Sequence, residues 1–228
     1  MSRPVAVVTG PSRGIGRATA ILLGRRGLDV ALLGRQSDAL DATLREVEAT
    51  GARARIAPCD VSDEASVAAA AARVVTEMAV PEIVVNNAGI VRRATIEETT
   101  ARDFDDVLAV NLRGAFLVTR AFLPRMRERG RGRFVFVSSI SATLGSPGNA
   151  SYAASKWALT GFAKSLAEEL RGSALLSLAV LPGSVDTDML AGSGFAPAMT
   201  ADDVAGTIAY LALEAPPAMN GSAVEVFG

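Results

Sequence analysis

Short apolar runs alternate with longer segments of helical spacing along the chain. The runs are apolar at most positions rather than at every second one, which is typical of strands buried on both faces of a parallel sheet. The predicted strands are Val5–Val8, Val30–Leu33, Ala54–Ala57, Ile83–Val85, Phe134–Val137, Leu176–Leu181 and Ala223–Val226. The predicted helices lie near 15–26, 38–49, 63–78, 103–128, 151–171 and 201–213. This alternation predicts an α/β fold with one domain over residues 1–228: a Rossmann-type doubly wound sheet of about seven parallel strands, with helices on both faces.

The turn after the first predicted strand is rich in glycine. It reads Thr9-Gly10-Pro11-Ser12-Arg13-Gly14-Ile15-Gly16, and a predicted helix follows. Glycine is needed where backbone approaches a pyrophosphate or where a helix packs closely on a strand, and a helix N-terminus offers free N–H groups to phosphates. We therefore expect Gly10, Ser12, Arg13, Gly14, Ile15 and Gly16 to bind a dinucleotide. A purely structural turn is the alternative.

The composition removes several classes of site. Of the 228 residues 50 % are hydrophobic, which is enough for a full core, and the formal net charge is −1. A near-zero charge argues against a nucleic-acid-binding protein, which needs a basic surplus. The chain has no histidine and one cysteine, Cys59, so a histidine triad, a zinc finger, an iron–sulfur cluster and an internal disulfide are excluded. No metal is expected.

A tyrosine and a lysine with helical spacing carry the strongest chemical signal. The chain has only two tyrosines and two lysines, yet Tyr152 and Lys156 stand four apart at the start of a predicted helix. Residues four apart share a helical face. A free phenol has a pKa of about 10, and a nearby ammonium lowers it. Tyr152 is therefore predicted to be the general acid in carbonyl reduction, or the general base in alcohol oxidation.

A serine at the end of the predicted fifth strand adds a third group. Ser139 precedes Tyr152 by thirteen residues. A hydroxyl at this place polarises a substrate carbonyl and orients it toward a hydride. Ser138 and Ser141 are close in the chain, but the spacing favours Ser139.

The end of the second predicted strand indicates which dinucleotide binds. A fold specific for NAD usually has an acid there for the adenosine ribose, whereas this chain has Leu33-Gly34-Arg35. Arg13, in the glycine turn, is a second cation that can reach the same place, and an arginine pair suits a phosphate dianion. NADP(H) is therefore predicted. The alternative is that Arg13 and Arg35 are solvated surface groups.

Several of these motifs, in this order, resemble the short-chain dehydrogenase/reductase family over nearly the whole chain. They are Thr-Gly-x-x-x-Gly-Ile-Gly, Asn86-Asn87-Ala88-Gly89, Ser139, Tyr152-x-x-x-Lys156 and Pro182-Gly-x-x-x-Thr187. The resemblance implies that Tyr152 and Lys156 also contact the cofactor, Lys156 through the nicotinamide ribose. It also implies that Asn111 holds a water linking Lys156 to solvent. The alternative for Asn111 is a buried amide satisfied by backbone.

The same resemblance implies the remaining cofactor contacts. Asp60 would bind the adenine amine and Val61 would pack on the ring. The implied adenosine-ribose contacts are Asn87, Ala88 and Gly89, and the implied carboxamide segment is Pro182, Gly183, Val185 and Thr187. The alternative for Asp60 is that it only begins a turn before the third helix, for which Ser62 is the expected cap.

The substrate and partners are likewise expectations from the family. The most similar members reduce 3-oxoacyl thioesters on an acyl-carrier protein in fatty acid biosynthesis, so such a ketone is expected, with another small ketone or secondary alcohol as alternative. A short glycine-rich segment at about 184–200 is the expected substrate loop. The basic run Arg125–Arg133 is either a solvated helix end or a dock for the carrier protein. A homodimer or homotetramer is expected, with helices 103–128 and 151–171 as contact faces.

Two further expectations concern class and location. A catalytically silent NADP-binding regulatory protein is the rival function, and the Tyr152–Lys156 pair argues against it. The start of the chain lacks the pattern of a signal peptide, and no apolar run approaches the ~18 residues of a membrane helix. The expected location is the cytoplasm, without membrane association.

Overall fold

Seven parallel strands form a single sheet in the computed structural model, which describes residues 3–228. Met1 and Ser2, the first residues of the predicted domain, lie outside the described residues. The strands are β1 (Val5–Thr9), β2 (Asp29–Gly34), β3 (Ala54–Pro58), β4 (Ile83–Asn86), β5 (Gly132–Val137), β6 (Leu175–Pro182) and β7 (Ala223–Val226). Each overlaps its predicted run, and the predicted fold class is confirmed.

The strand order creates a crevice at one edge of the sheet. Its order is β3-β2-β1-β4-β5-β6-β7, so the direction of winding reverses between β1 and β4. Loops at the carboxyl ends of parallel strands meet at the same edge, and ligands of such sheets bind where the winding reverses. The helices that connect the strands are α1 (Gly14–Arg25), α2 (Asp38–Glu48), α3 (Glu64–Glu77), α4 (Ala101–Leu108), α5 (Gly114–Arg129), α6 (Ala150–Glu169) and α7 (Ala201–Leu213).

Two apolar layers, one on each face of the sheet, form the core. On one face, Val74 of α3, Phe122 of α5 and Leu159 of α6 pack with the strands. On the other, Leu23 of α1 and Ile208 of α7 do the same, together with buried residues of α2. Because both faces are covered, each strand is apolar apart from a single polar residue, which explains the nearly continuous apolar runs in the sequence.

The predicted helix 103–128 is two helices joined by a π-helical turn. The turn, Ala109–Arg113, links α4 to α5 and contains Asn111. The combined stretch Ala101–Arg129 is long and apolar enough to cross a membrane by length and composition alone. Of its 18 most apolar consecutive residues, 44 % are buried inside the protein. Its residues Leu117, Val118 and Phe122 belong to the core layer. It is a core helix of the sheet, and this packing accounts for its hydropathy.

Candidate active site

The glycine turn lies against the loop that follows β4. Gly10 has a φ of +63°, and a Cβ on it would lie 2.9 Å from the Cα of Ala88. A Cβ on Gly16, in the first turn of α1, would collide with the carbonyl oxygen of Gly10 and with Nδ2 of Asn87. Both positions therefore require glycine, because any side chain would push helix and turn away from the sheet edge. Ser12 and Ile15 are half-buried in the same segment.

Hydrogen bonds fasten this turn to the end of β4. Nδ2 of Asn87 donates to the carbonyl oxygens of Thr9 and Gly10 at 3.0 and 3.1 Å. Oγ1 of Thr9 accepts from the backbone N–H groups of Asn87 and Ala88, both at 2.9 Å. The glycine turn is thus held by groups at the ends of β1 and β4, the two strands between which the winding reverses.

Helix α6 brings Tyr152 and Lys156 to the same edge. Nζ of Lys156 lies 5.6 Å from the centroid of the Tyr152 ring, as the four-residue spacing predicts. Lys156 is 3 % exposed, and its Nζ donates to the carbonyl oxygen of Val137, at the end of β5, at 2.8 Å. This bond holds the ammonium between the end of the sheet and the phenol.

The environment of the phenol differs from the one expected from Lys156 alone. Burial raises the pKa of Tyr152, while the Ser139 hydroxyl and the charge of Arg93 act in the opposite direction. The lysine was expected to supply the lowering. Burial also lowers the pKa of Lys156 from its ordinary value of 10.5 to about 8, because a buried ammonium loses its hydration.

Ser139 is the serine that reaches the phenol. It lies two residues beyond β5, is 8 % exposed, and its Oγ accepts from the N–H of Ser141 at 3.1 Å. Oγ of Ser138 instead bonds to the carbonyl oxygen of Lys156 at 3.0 Å and to Oγ1 of Thr160 at 2.8 Å. The Ser139 hydroxyl therefore acts on the phenol, whereas that of Ser138 is engaged by α6.

Asn111 is a buried amide with all its bonds inside the protein. Its Oδ1 accepts from the N–H of Ile90 at 2.8 Å, and its Nδ2 donates to the carbonyl oxygen of Ile90 and to Oγ of Ser155, both at 2.9 Å. These bonds correspond to the alternative in which Asn111 is a buried amide satisfied by backbone, with the Ser155 hydroxyl as an additional partner. A Cβ on Gly89 would lie 3.3 Å from Oδ1 of Asn111 and 3.6 Å from Nζ of Lys156, so both groups border one small space.

The predicted adenosine end lies beyond β2 and β3. Two hydrogen bonds from Ser62, from Oγ at 2.7 Å and from N–H at 2.9 Å, lower the pKa of Asp60 below its usual range, and the charge of the exposed Arg35 adds to this. Asp60 therefore does begin a turn. The predicted Ser62 cap of α3 is wrong: Asp63 caps the helix by accepting from the Ser66 N–H at 2.7 Å, because the Ser62 hydroxyl is committed to Asp60.

Val61 is buried, and a Cβ on Gly114 would lie 2.9 Å from its Cγ2. Its side chain therefore packs against α5 at the edge of the core.

The two arginines predicted to bind a phosphate have different partners. The charge of Arg35 acts on Asp60, whereas Nη1 of Arg13 pairs with Oδ2 of Asp188 at 3.2 Å, both side chains being exposed.

The segment after β6 lies beside the glycine turn. A Cβ on Gly14 would lie 3.1 Å from Cγ2 of Thr187, and Oγ1 of Thr187 donates to the carbonyl oxygen of Val185 at 3.3 Å. The N–H of Gly183, next to Pro182, donates to the carbonyl oxygen of Val226 at 2.8 Å. Thr187 thus lies beside the glycine turn at the crevice, whereas Gly183 continues the pairing of β6 with β7.

We call the whole connection, residues 183–200, the β6–α7 loop. Its middle part covers the phenol. Sδ of Met189 lies 3.9 Å from the Tyr152 hydroxyl oxygen. Arg93 donates to the carbonyl oxygens of Met189 at 2.7 Å and Ala191 at 3.1 Å. A cavity of about 280 Å³ opens beside the loop, between Asp186 and Phe195. Sequence reasoning missed Arg93 and Met189, and their only sequence signal is an arginine shortly after the Asn-Asn-Ala-Gly motif.

Comparisons with known proteins point to one family. A family model described as short chain dehydrogenase matches residues 4–195. The chain is 38 % identical over 184 residues to gluconate 5-dehydrogenase of Gluconobacter oxydans (strain 621H), covering 81 % of this chain and 72 % of that protein. It is 33 % identical over 224 residues to 3-oxoacyl-[acyl-carrier-protein] reductase of Synechocystis sp. (strain ATCC 27184 / PCC 6803 / Kazusa), covering 94 % and 91 %.

Solved structures agree with these relatives. A variant of actinorhodin polyketide ketoreductase with NADPH has a TM-score of 0.95 at 32 % identity, covering 100 % of this chain and 98 % of that one. Levodione reductase has a TM-score of 0.93 at 29 % identity, covering 99 % and 96 %. The similarity extends over the whole sheet and both helix layers.

Proposed function

This chain belongs to the short-chain dehydrogenase family, an oxidoreductase family, and we propose that it reduces a ketone to a secondary alcohol with NADPH. The observation that carries the proposal is the convergence of Ser139, Tyr152 and Lys156 at the sheet edge that also holds the glycine turn. A silent binding module has no need of a phenol beside an ammonium.

The residues at the crevice fit a dinucleotide. Glycine at Gly10 and Gly16 lets the turn pack closely on the loop after β4. The N-terminus of α1, which no side chain among residues 3–228 caps, follows the turn and offers its N–H groups to a pyrophosphate. Asn87 to Gly89 would line the adenosine ribose, and Pro182 to Thr187 the carboxamide. When bound, the nicotinamide supplies a hydride to the carbonyl carbon.

The proton chemistry belongs to the side chains of α6 and β5. The Ser139 hydroxyl donates to the substrate carbonyl oxygen and holds it beside the phenol. Tyr152 gives its proton to that oxygen as the carbon gains the hydride, so that an alcohol and a phenolate result. The Lys156 ammonium stabilises the phenolate and holds the nicotinamide ribose. Asn111, which lies with Lys156 around Gly89, is the proposed holder of a water that would return the proton to Tyr152.

We infer NADPH rather than NADH from the cations at the adenosine end. No acid directly follows β2, where Arg35 is exposed, and Arg13 lies in the glycine turn. The ketoreductase with NADPH is a similar protein with that cofactor. The Asp188 carboxylate now paired with Arg13 is exposed, so a phosphate can replace it at little cost.

The test is a panel of ketones assayed with NADPH and with NADH in parallel. We expect turnover with at least one ketone and at least a tenfold preference for NADPH, which Arg35→Ala with Arg13→Ala abolishes by weakening NADPH alone. An equal or greater rate with NADH contradicts the cofactor assignment. Tight NADPH binding with no turnover across the panel favours the rival, a catalytically silent regulatory protein.

A 3-oxoacyl thioester is the leading substrate, because 94 % of the chain aligns with a 3-oxoacyl-[acyl-carrier-protein] reductase. Another small ketone or alcohol is the alternative, since the relatives include a gluconate dehydrogenase. The β6–α7 loop is the proposed substrate loop.

Docking of an acyl-carrier protein at Arg125–Arg133 is testable by replacing these arginines with glutamate. Arg129 and Arg131 both pair with Glu82, which favours the simpler interpretation as a helix end.

We also propose a cytoplasmic homodimer or homotetramer. Phe116 of α5 and Trp157 of α6 are 40 % and 55 % exposed, and they lie on the two helices expected to form contact faces. Sedimentation of the purified chain decides between dimer and tetramer, and a monomer contradicts both.

A further inference from the structure

Arg93 joins two loops that are far apart in sequence. It lies on the loop after β4, and its guanidinium spans to the carbonyl oxygens of Met189 and Ala191, at 2.7 and 3.1 Å. Among residues 3–228 no carboxylate forms an ion pair with Arg93. Its directed donors are therefore spent on the backbone of the β6–α7 loop, in a geometry that the planar guanidinium fork favours.

The segment that Arg93 holds is the one that covers the phenol. Met189 belongs to a short 3₁₀ turn, Asp188–Leu190, and its Sδ lies 3.9 Å from the Tyr152 hydroxyl oxygen. A substrate carbonyl that accepts the Tyr152 proton must occupy the space beside that oxygen. The position of Met189 therefore decides how much room a ketone has.

Apart from backbone hydrogen bonds within the loop itself, little else among residues 3–228 holds this part of the loop. Gly192 and Gly194 have φ values of +73° and +79°, and a Cβ on either would meet nothing within 4 Å. Phe195 is 61 % exposed. The other side-chain tie is the pair of Arg13 with Asp188, which is exposed at both ends and therefore contributes little.

We propose that Arg93 is a positioning residue that closes the β6–α7 loop over Tyr152 and so sets the size of ketone that the site accepts. The effect on ketone size rests on the proposed function, ketone reduction at Tyr152. Closure of the loop does not, because it can be measured without turnover. Arg93 also contributes a charge that favours the phenolate, so position and charge must be separated.

Three variants make the separation. Arg93→Met keeps the apolar stem and removes both donors and the charge. Arg93→Lys keeps the charge but lacks the fork that spans two carbonyls. Arg92→Met is the matched control, because Arg92 is the adjacent exposed arginine, and its 3.8 Å contact is with Asp103, away from the loop.

Loop opening is measured first by limited proteolysis, which needs no substrate. Chymotrypsin cleavage after Phe195 follows the population of the open loop. Loss of two hydrogen bonds predicts cleavage faster by roughly tenfold in Arg93→Met. A smaller acceleration is expected in Arg93→Lys, whose ammonium can bond to one carbonyl but cannot span both. Arg92→Met is expected to remain within about twofold of the wild-type rate.

Kinetics then tests the consequence. With a small ketone, we expect Arg93→Met to raise KM by roughly tenfold and Arg93→Lys to raise it less, with kcat changed less than KM in both. With bulky ketones we expect a smaller rise in KM, or a fall. Arg93→Met alone is expected to shift the alkaline limb of the pH–rate profile upward, because only that variant removes the charge.

Unchanged cleavage after Phe195 in Arg93→Met overturns the proposal, as does equal acceleration in Arg92→Met. Accelerated cleavage with no change in the ratio of KM for small and bulky ketones overturns its specificity part. If no ketone is turned over by the wild-type chain, the proposed function fails while the proteolysis result still decides the closure.

Discussion

The two sides of the candidate site are built differently. The glycine-turn side consists of backbone at a sheet edge, where Gly16 packs on Gly10 and the Asn87 amide bonds to two strand-end carbonyls. The β6–α7 loop side consists mostly of exposed residues, with Val185 and Met199 buried at its base. Its exposed middle part is tied by the long side chains of Arg13 and Arg93. One side has no freedom to accommodate a change, whereas the other is held by a few separable contacts.

This difference suits a site with one constant and one variable ligand. The cofactor's pyrophosphate requires a fixed cradle, and β1 and β4 pair directly to supply it. The loop lies outside the strand pairing except for one bridge between Val185 and Met199. Sequence changes in such a loop alter what the site accepts without disturbing the core.

The largest expected effect comes from the group where the two sides meet. Tyr152→Phe removes the proposed proton donor and is expected to lower kcat by about 10²–10⁴-fold, with NADPH affinity unchanged because the glycine side is intact. Steady-state kinetics and a fluorescence titration measure the two quantities.

Tyr210→Phe is the matched control. Tyr210 is the other tyrosine of the chain, and its hydroxyl also lies near a methionine sulfur, Sδ of Met219 at 3.7 Å, but away from the crevice. Its kcat is expected to equal that of the wild type. Turnover retained by Tyr152→Phe would remove Tyr152 from the mechanism.

Lys156 is the second test, because its burial costs stability that function requires. Its pKa is lowered from 10.5 to about 8, so the unfolded chain holds the proton more tightly than the folded chain. The penalty is fully present below pH 8 and disappears as the pH rises toward 10.5. Lys156→Met therefore removes up to about 3 kcal/mol of destabilisation at pH 7, less the lost bond to Val137.

Urea unfolding at pH 7 and pH 10 measures this effect. The variant is expected to be inactive, to unfold at higher urea at pH 7, and to lose that advantage at pH 10. Lys164→Met, which changes the exposed lysine of the same helix, is the control and is expected to leave the unfolding free energy unchanged at both values. A variant less stable than wild type at pH 7 contradicts the penalty.

A pair of glycine substitutions compares the two sides directly. Gly16→Ala inserts a methyl group against the Gly10 carbonyl and the Asn87 amide, and it is expected to cost about 1–3 kcal/mol or more and to abolish NADPH binding. Gly194→Ala enters open space at a φ of +79°, so only backbone strain of about 1–2 kcal/mol applies, with NADPH binding retained. Thermal melts and titrations compare them, and equal loss of NADPH binding would refute the division.

The smallest expected effect lies at the contact between the sides. Asp188→Asn frees Arg13 from an exposed ion pair, and an exposed pair is worth about 0.2–1 kcal/mol. NADPH is therefore expected to bind up to about fivefold more tightly, while NADH affinity stays the same. Titration of both cofactors at low salt measures this, and a parallel change in NADH affinity would exclude competition for Arg13.

The fold and the centre of the site were predictable because their signals are local. Each apolar run must be a buried strand, and the turn needs glycine at Gly10 and Gly16 whatever the rest of the chain does. The four-residue spacing places Tyr152 and Lys156 on one face before any tertiary contact forms. Local signals failed at Ser62, because its hydroxyl bonds to Asp60 and the next residue, Asp63, caps α3 instead.

Tertiary structure alone decided what surrounds these groups. Burial, rather than Lys156, dominates the pKa of Tyr152, and the partner of Lys156 is the backbone oxygen of Val137. Arg93 meets Met189 through a carbonyl oxygen, a group that every residue carries and no sequence pattern marks. The sequence by itself determined which chemical groups share an element, because helix and strand periods are local, whereas desolvation and contacts between distant loops exist only once the chain has packed.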